Sequence, residues 1–294
     1  MKLELDCMIC NINQVIKMAK QFKLNKTDQE KMMKEVLGYL SDADYSKCNP
    51  AITADTWEII VKHVGDSNPY KEIKRFYNDE MMKMADIVKE KMCQSKDPFV
   101  TGLKIAITGN LIDFAAKHSF NVDMVKDRIM NVDDIHLEID DSGRLYNNMK
   151  HAKSLLYLGD NCGEIVMDKF FIEYLREEFP KLDIYFAVRG KSVLNDITWE
   201  DAEEVAMKEV AKIVDNGDNS PGTVIDRTSD EFKELYYDAD VVIAKGQGNY
   251  ESLSETDRKN VFHLFMAKCD IVAKSAGTEI MSIVCIENNG VERK

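Results

Sequence analysis

The run Asp240-Val241-Val242-Ile243-Ala244 constrains the fold of this chain more than any other feature. Its apolar residues neither alternate with polar ones nor follow a helical stripe, so a strand here must be covered on both faces. Such strands belong to the interior of parallel sheets, where crossover helices shield both sides. Residues 154–158 and 183–188 are further short runs rich in apolar and aromatic side chains. Between them, residues 165–179 place Met167, Phe170, Phe171, Tyr174 and Leu175 on one helical face. Beyond them, 199–211 reads as helix, 212–214 as a short strand, 229–237 and 261–266 as helices, and 269–273 and 282–286 as strands. Alternation of this kind implies a largely parallel α/β sheet with right-handed crossovers, flanked by helices.

The first half of the chain carries a different period. Ile12, Val15, Ile16 and Ala19 recur at helical spacing, and Thr27 with Glu30 reads as a capping box before Met32, Met33, Val36 and Leu37. Residues 70–91 keep one apolar stripe, and 103–118 read as another helix. The change of period places the boundary near 147–150. A helical N-terminal domain is expected over 1–148 and an α/β domain over 149–294.

With 294 residues, 45% hydrophobic and 31% charged, the chain has material for two packed units. Its 39 basic and 52 acidic side chains leave a formal charge of −13, which argues against nucleic acid as a partner. No apolar run reaches the roughly 18–20 residues that cross a bilayer, so no membrane role is expected. The opening Met1-Lys2-Leu3-Glu4-Leu5-Asp6 lacks a secretory core, and seven irregularly spaced cysteines do not make a disulfide framework. A cytoplasmic protein with reduced thiols is the expectation.

In open parallel sheets, ligands bind beyond the carboxyl ends of the strands. Three such ends are rich in oxygen ligands, cations and glycine: Gly159-Asp160-Asn161-Cys162-Gly163-Glu164, Arg189-Gly190 with Asn195-Asp196-Ile197-Thr198, and Lys245-Gly246-Gln247-Gly248-Asn249-Tyr250-Glu251. Asp160, Asn161 and Asp196 offer hard oxygens, which suit Mg²⁺ or Mn²⁺ better than zinc. The turn from Asn161 to Glu164 opens a helix whose first amides attract anions. Gly246 and Gly248 permit close backbone approach, and Lys245 ends a strand where it can meet phosphate charge, with the amides through Asn249 beside it. Arg189 is the competing cation for the same phosphate. Neither a P-loop nor a Gly-x-Gly-x-x-Gly fingerprint is present.

Taken with Gly109-Asn110-x-x-Asp113 and the Cys7-Met8-Ile9-Cys10 pair, this set resembles the DUF89 family of damage-control metal phosphatases, in particular its prokaryotic-type branch. The match in order and spacing runs from Cys7 to about Ile286. The resemblance implies a helical N-terminal region joined to a Rossmann-like α/β domain. It also implies hydrolysis of small phosphate esters, including sugar phosphates, phosphopantetheine derivatives and damaged phosphometabolites. The cofactor implied is Mn²⁺, Co²⁺, Ni²⁺ or Mg²⁺, with Asp160, Asn161 and Asp196 as its ligands and Lys245 on the phosphate. Asn110 and Asp113 are expected to reach the site from the helical region and orient substrate or water.

Two other classes compete. Leu158-Gly159-Asp160-x-x-Gly163 loosely fits the cofactor loop of an S-adenosylmethionine-dependent methyltransferase, and a non-enzymatic binder of a phosphorylated ligand would need the same loops. The methyltransferase leaves Asp196 and Lys245 unexplained. Cys7 and Cys10 lack a second Cys-x-x-Cys to complete a zinc site, so two reduced thiols at a helix start are expected.

Overall fold

The structure, a computed structural model, describes residues 1–109 and 122–288. Helices α1 (Leu5–Gln21), α2 (Lys26–Ser41) and α3 (Asn49–Val64) form an N-terminal bundle. Val15, Met18, Met32, Val36, Trp57 and Ile60 fill its core. The cap of α2 is Asn25, whose side chain accepts from the Asp28 amide, so the capping box expected at Thr27 lies two residues too late. Helix α3 stops where Gly65 takes a left-handed φ of 75°.

The stripe over 70–91 is not one helix. It divides into α4 (Lys71–Met82) and α5 (Ala85–Gln94), and Met81 and Met84 on either side of the break are both buried in one core cluster. Helix α6 (Pro98–Thr108) follows, and α7 (Val122–Met130) comes after the undescribed segment.

Seven strands make one sheet: β1 (Leu137–Asp140), β2 (Ser154–Leu158), β3 (Asp183–Val188), β4 (Lys212–Asp215), β5 (Val241–Lys245), β6 (Val261–Met266) and β7 (Ile283–Asn288). Their order is β1-β7-β6-β5-β2-β3-β4. Pairing is parallel from β4 across to β6; β7 is antiparallel to β6, and β1 runs parallel with β7. Helices α8 (Ser142–Met149), α9 (Glu164–Glu178), α10 (Trp199–Glu204), α11 (Asp230–Asp238), α12 (Gly246–Leu253) and α13 (Asp270–Ala276) connect the strands. The largely parallel α/β architecture with a helical N-terminal region is therefore present. No helix of the described residues is long and apolar enough to cross a membrane.

Two expected elements exchange types. Residues 261–266 form β6 rather than a helix, and 269–273 fall largely in α13 rather than in a strand. Every residue of β6 is buried, so both faces are covered, and a short apolar run with that fate has no period to betray it. In α13, Val272, Ala273 and Ala276 share the buried side, and Gly277 ends the helix at φ 73°. The helix expected over 199–211 stops at Glu204, and Ala206 turns left-handed before a 3₁₀ turn at Met207–Glu209. Strand β1 lies before residue 149 and pairs with β7, so the sheet takes an edge strand from the segment read as helical.

One core joins the helical region to the sheet. Tyr77, Met81, Leu103 and Ile107 pack in the same cluster as Phe171 of α9 and Leu155 and Tyr157 of β2. Gly102 makes this fit possible, because a Cβ there would lie 2.8 Å from the Phe171 ring. Truncating that fully buried ring leaves a cavity between α6, α9 and the sheet. Phe171→Ala should cost about 3–5 kcal/mol in urea unfolding with an unchanged slope. A loss below ~1 kcal/mol would mean that the two layers do not share this core.

Candidate functional site

Strands β3 and β4 build outward from β2 on one side, and β5 and β6 from β2 on the other. The order therefore reverses between β2 and β5, and the crevice beyond their carboxyl ends is where open sheets bind ligands. Asp160 follows β2 there. Its neighbour Asn161 forms an isolated antiparallel bridge with Asp196 from the loop after β3. The Ile197 amide donates to the Asp160 carbonyl at 3.0 Å, and the Cys162 amide to the Asn195 carbonyl at 3.0 Å. Asn195 Nδ2 donates to Asn161 Oδ1 at 2.8 Å, and Asn161 Nδ2 to Asp160 Oδ2 at 2.5 Å. Backbone pairing thus brings Asp160, Asn161 and Asp196 together from two different strands.

Gly246 closes on this group from β5. Its φ is +79°, and a Cβ at that position would stand 1.9 Å from Asp160 Oδ2. No side chain could occupy the position without displacing the carboxylate.

Arg189 follows β3 directly and is buried. Its Nε donates to Asp196 Oδ2 at 2.8 Å and its Nη1 reaches Thr223 Oγ1 at 3.5 Å. Its Nη2 stands 4.0 Å from Asp160 Oδ1 and has no hydrogen-bond partner among the described residues. A buried guanidinium donor of this kind has the chemistry to bind an anion. Burial pushes Asp196 up to about 7, with the Asp160 charge acting in the same direction and Arg189 against both.

Lys245 is not placed as expected. Its ammonium is fully buried and its three hydrogens are all used, on Glu164 Oε1 at 2.7 Å, Asp168 Oδ1 at 2.5 Å and the Ala106 carbonyl at 2.8 Å. Burial disfavours its charge, but Asp168 and Glu164 outweigh burial and raise its pKa. Burial, with the charges of Asp160 and Asp168, lifts Glu164 to about 8 against the pull of Lys245. Burial raises Asp168 as well, again against Lys245, so the one cation is shared between two crowded acids. Asp168 also accepts from the Tyr157 hydroxyl at 2.6 Å.

Gly248 and Asn249 also serve packing, and both lie in α12 rather than in an open loop. A Cβ at Gly248 would meet the Pro221 carbonyl at 1.9 Å. Asn249 Nδ2 donates to the Lys245 carbonyl at 2.7 Å and its Oδ1 accepts from Thr223 at 2.7 Å. Asn110 and Asp113 lie outside the described residues. Cys7 and Cys10 are unpaired on α1, and burial pushes the Cys7 thiol up to about 11, so it stays protonated at neutral pH.

Several participants had not been identified from the sequence. Asp168 sits one turn after Glu164 within an apolar stretch, a signal that could have been read. The loop 216–223 after β4, dense in turn-forming residues, supplies Thr223.

The donor set is oxygen-only. Among the described residues no group of three or more His, Cys, Asp and Glu is placed to hold a metal ion. A cation here would therefore rest on the Asp160 and Asp196 carboxylates and the Asn161 carbonyl oxygen, which has a second lone pair. Its remaining ligands would come from water or substrate. The set fits a hard divalent ion, whose charge would relieve the crowding of the two carboxylates.

Comparison with known proteins places these residues in context. The model of the damage-control phosphatase ARMT1-like domain matches residues 4–284. A damage-control phosphatase of Pyrococcus horikoshii is 31% identical over 289 residues, covering 98% of this chain and 99% of its own. Another from Archaeoglobus fulgidus is 30% identical over 223 residues, covering 75% of this chain and 76% of its own. The crystal structure of a DUF89 family protein from P. horikoshii superposes with a TM-score of 0.90 at 30% identity, covering 98% of this chain and 99% of that chain.

The Lys245 geometry has a measurable consequence. Lys245→Met would leave two carboxylates buried without their cation, a change that costs roughly 3–5 kcal/mol. Chemical denaturation should show a loss of that size. A variant as stable as the parent would mean that Lys245 does not hold this cluster.

Proposed function

Since the chain belongs to the damage-control phosphatase family defined by the ARMT1-like (DUF89) domain, we propose that it hydrolyses small phosphomonoesters with a divalent metal ion. Its substrates would be sugar phosphates, phosphopantetheine-like compounds or damaged phosphometabolites. The observation that supports this reading best is the convergence of Asp160, Asn161 and Asp196 at the switch point of the sheet, beside the unused Nη2 of Arg189.

When bound, Mn²⁺, Co²⁺, Ni²⁺ or Mg²⁺ would supply Lewis acidity and make a bound water more acidic. Asp160 and Asp196 would hold the ion through carboxylate oxygens and Asn161 through its side-chain carbonyl. Asn195, by donating to that carbonyl, keeps the amide turned the right way. Arg189 donates Nη2 to a phosphoryl oxygen while its Nε stays on Asp196, so one side chain ties substrate to metal ligand. Lys245 acts one step back, holding Glu164, whose Oε2 lies 3.5 Å from Asn161 Nδ2. The phosphate cation in this reading is therefore Arg189, and Lys245 supports the shell behind the ligands. Burial strengthens each of these charge contacts, because little water screens them.

Stripping the protein with EDTA should abolish hydrolysis of an aryl phosphate, and Mn²⁺, Co²⁺ or Ni²⁺ should restore it. Full activity after exhaustive chelation would overturn the metal requirement. Arg189→Met should lower kcat/KM by on the order of 10²–10³, the effect of removing one partner from a desolvated charge contact. Near-parental turnover in a folded Arg189→Met protein would return the phosphate contact to another residue.

A further inference from the structure

The two loops that carry the metal-binding oxygens belong to different strands, and one helix from the N-terminal half touches both. Lys74 and Asn78 are one turn apart on α4, and both are buried. Lys74 Nζ donates to the Asp196 carbonyl at 3.2 Å and to Asp201 Oδ2 at 2.5 Å. The same Asp201 oxygen accepts from the Thr198 amide at 2.8 Å and its hydroxyl at 2.6 Å. Asn78 Oδ1 accepts from the Gly163 amide at 2.6 Å. Gly163 is the left-handed residue, at φ 79°, that turns the Asp160–Asn161 segment into α9.

We infer that Lys74 and Asn78 are positioning residues: α4 clamps the Asp160–Gly163 loop against the Asp196–Asp201 loop and so sets the spacing of the metal-binding oxygens. The inference rests on the metal reading proposed above. A purely packing helix would have no need of a buried ammonium, which is costly to desolvate and useful only where it meets defined acceptors. The division of labour supports the clamp. Lys74 bonds the main chain of Asp196 and leaves that carboxylate to its other contacts. Asn78 bonds the main chain three residues after Asp160 and leaves the Asp160 and Asn161 side chains alone. Asn78 Nδ2 finds no hydrogen-bond partner among the described residues, so the bond from Gly163 is what the amide contributes to this loop.

Groups behind metal ligands typically affect metal affinity or activity by about 10–100-fold. The test compares the EDTA-stripped full-length protein with Asn78→Leu, Lys74→Met and the pair Lys74→Met with Asp201→Asn. Mn²⁺ binding is followed by calorimetry, kcat and KM with an aryl phosphate, and the melting temperature by circular dichroism. Lys74→Met alone leaves Asp201 without its cation and should lower the melting temperature. Asp201→Asn removes that charge while keeping an acceptor for Thr198, so the double variant should regain stability. It still lacks a donor to the Asp196 carbonyl. Asn78→Leu and the double variant should therefore bind Mn²⁺ roughly 10-fold more weakly, with kcat reduced by about 10–100-fold and KM little changed. If the double variant recovers Mn²⁺ affinity and kcat along with stability, Lys74 is only a charge partner and the clamp is overturned. Parental Mn²⁺ affinity and kcat in folded Asn78→Leu would overturn it equally. A parent protein that neither binds Mn²⁺ nor releases phosphate would overturn the proposed function itself, and the clamp with it.

Discussion

The ammonium of Lys245 is the interaction on which the rest of this architecture depends. It is fully buried at the end of β5 and bonded to Glu164 and Asp168 of α9 and to the Ala106 carbonyl of α6. One side chain therefore joins the sheet, its first crossover helix and the helical region. The cost of taking such a charge out of water is met only because every hydrogen finds an oxygen. Around it the chain can place only groups that respect the same accounting, and Tyr157 does so by directing its hydroxyl to Asp168.

Two other buried ion pairs share this arrangement. Arg189 pairs with Asp196 at 2.8 Å and Lys74 with Asp201 at 2.5 Å, with all four side chains nearly inaccessible. A chain with a formal charge of −13 thus keeps several of its cations inside, close to the carboxylates beyond the strand ends. The result is a weakly screened environment in which oxygens of one sign are crowded and the compensating donors are directional. Burial pushes Asp196 up to about 7, against the pull of Arg189 and with the Asp160 charge adding to the rise.

The N-terminal helices also hold the loops that follow β3 and β4. Trp57 Nε1 of α3 donates to the Ser192 carbonyl at 3.0 Å. Arg227 bridges Asp55 of α3 and Asp218 at 2.8 and 3.0 Å. Val193, from the loop after β3, is buried in the N-terminal bundle core. The loops after β3 and β4 are thus held from outside by the same helices that shape the space above the sheet.

The sequence alone determined the class of fold and where along it the ligand-type residues gather. Apolar runs without alternation demand a sheet covered on both faces, and ligand-type residues collected just after three of those strands, because that is where a parallel sheet leaves its backbone and loops open. Asp160, Asn161 and Asp196 were legible as oxygen donors for this reason, and Gly246 as a position of close approach. Where a short apolar run could serve either structure, as at Val261–Met266, periodicity had nothing to say, and burial on both faces in the assembled sheet made the choice. The same limit applies to Lys245 and Arg189. Both are cations at strand ends and look equivalent in one dimension. Their surroundings diverge because the partners of Lys245 lie 77, 81 and 139 residues away in sequence and absorb every donor, whereas Arg189 Nη2 has no hydrogen-bond partner among the described residues. Lys74 and Asn78 read as ordinary polar positions of an amphipathic helix. Only tertiary packing buries that face of α4 against two loops, and a buried polar group must take whatever partner the packing brings to it.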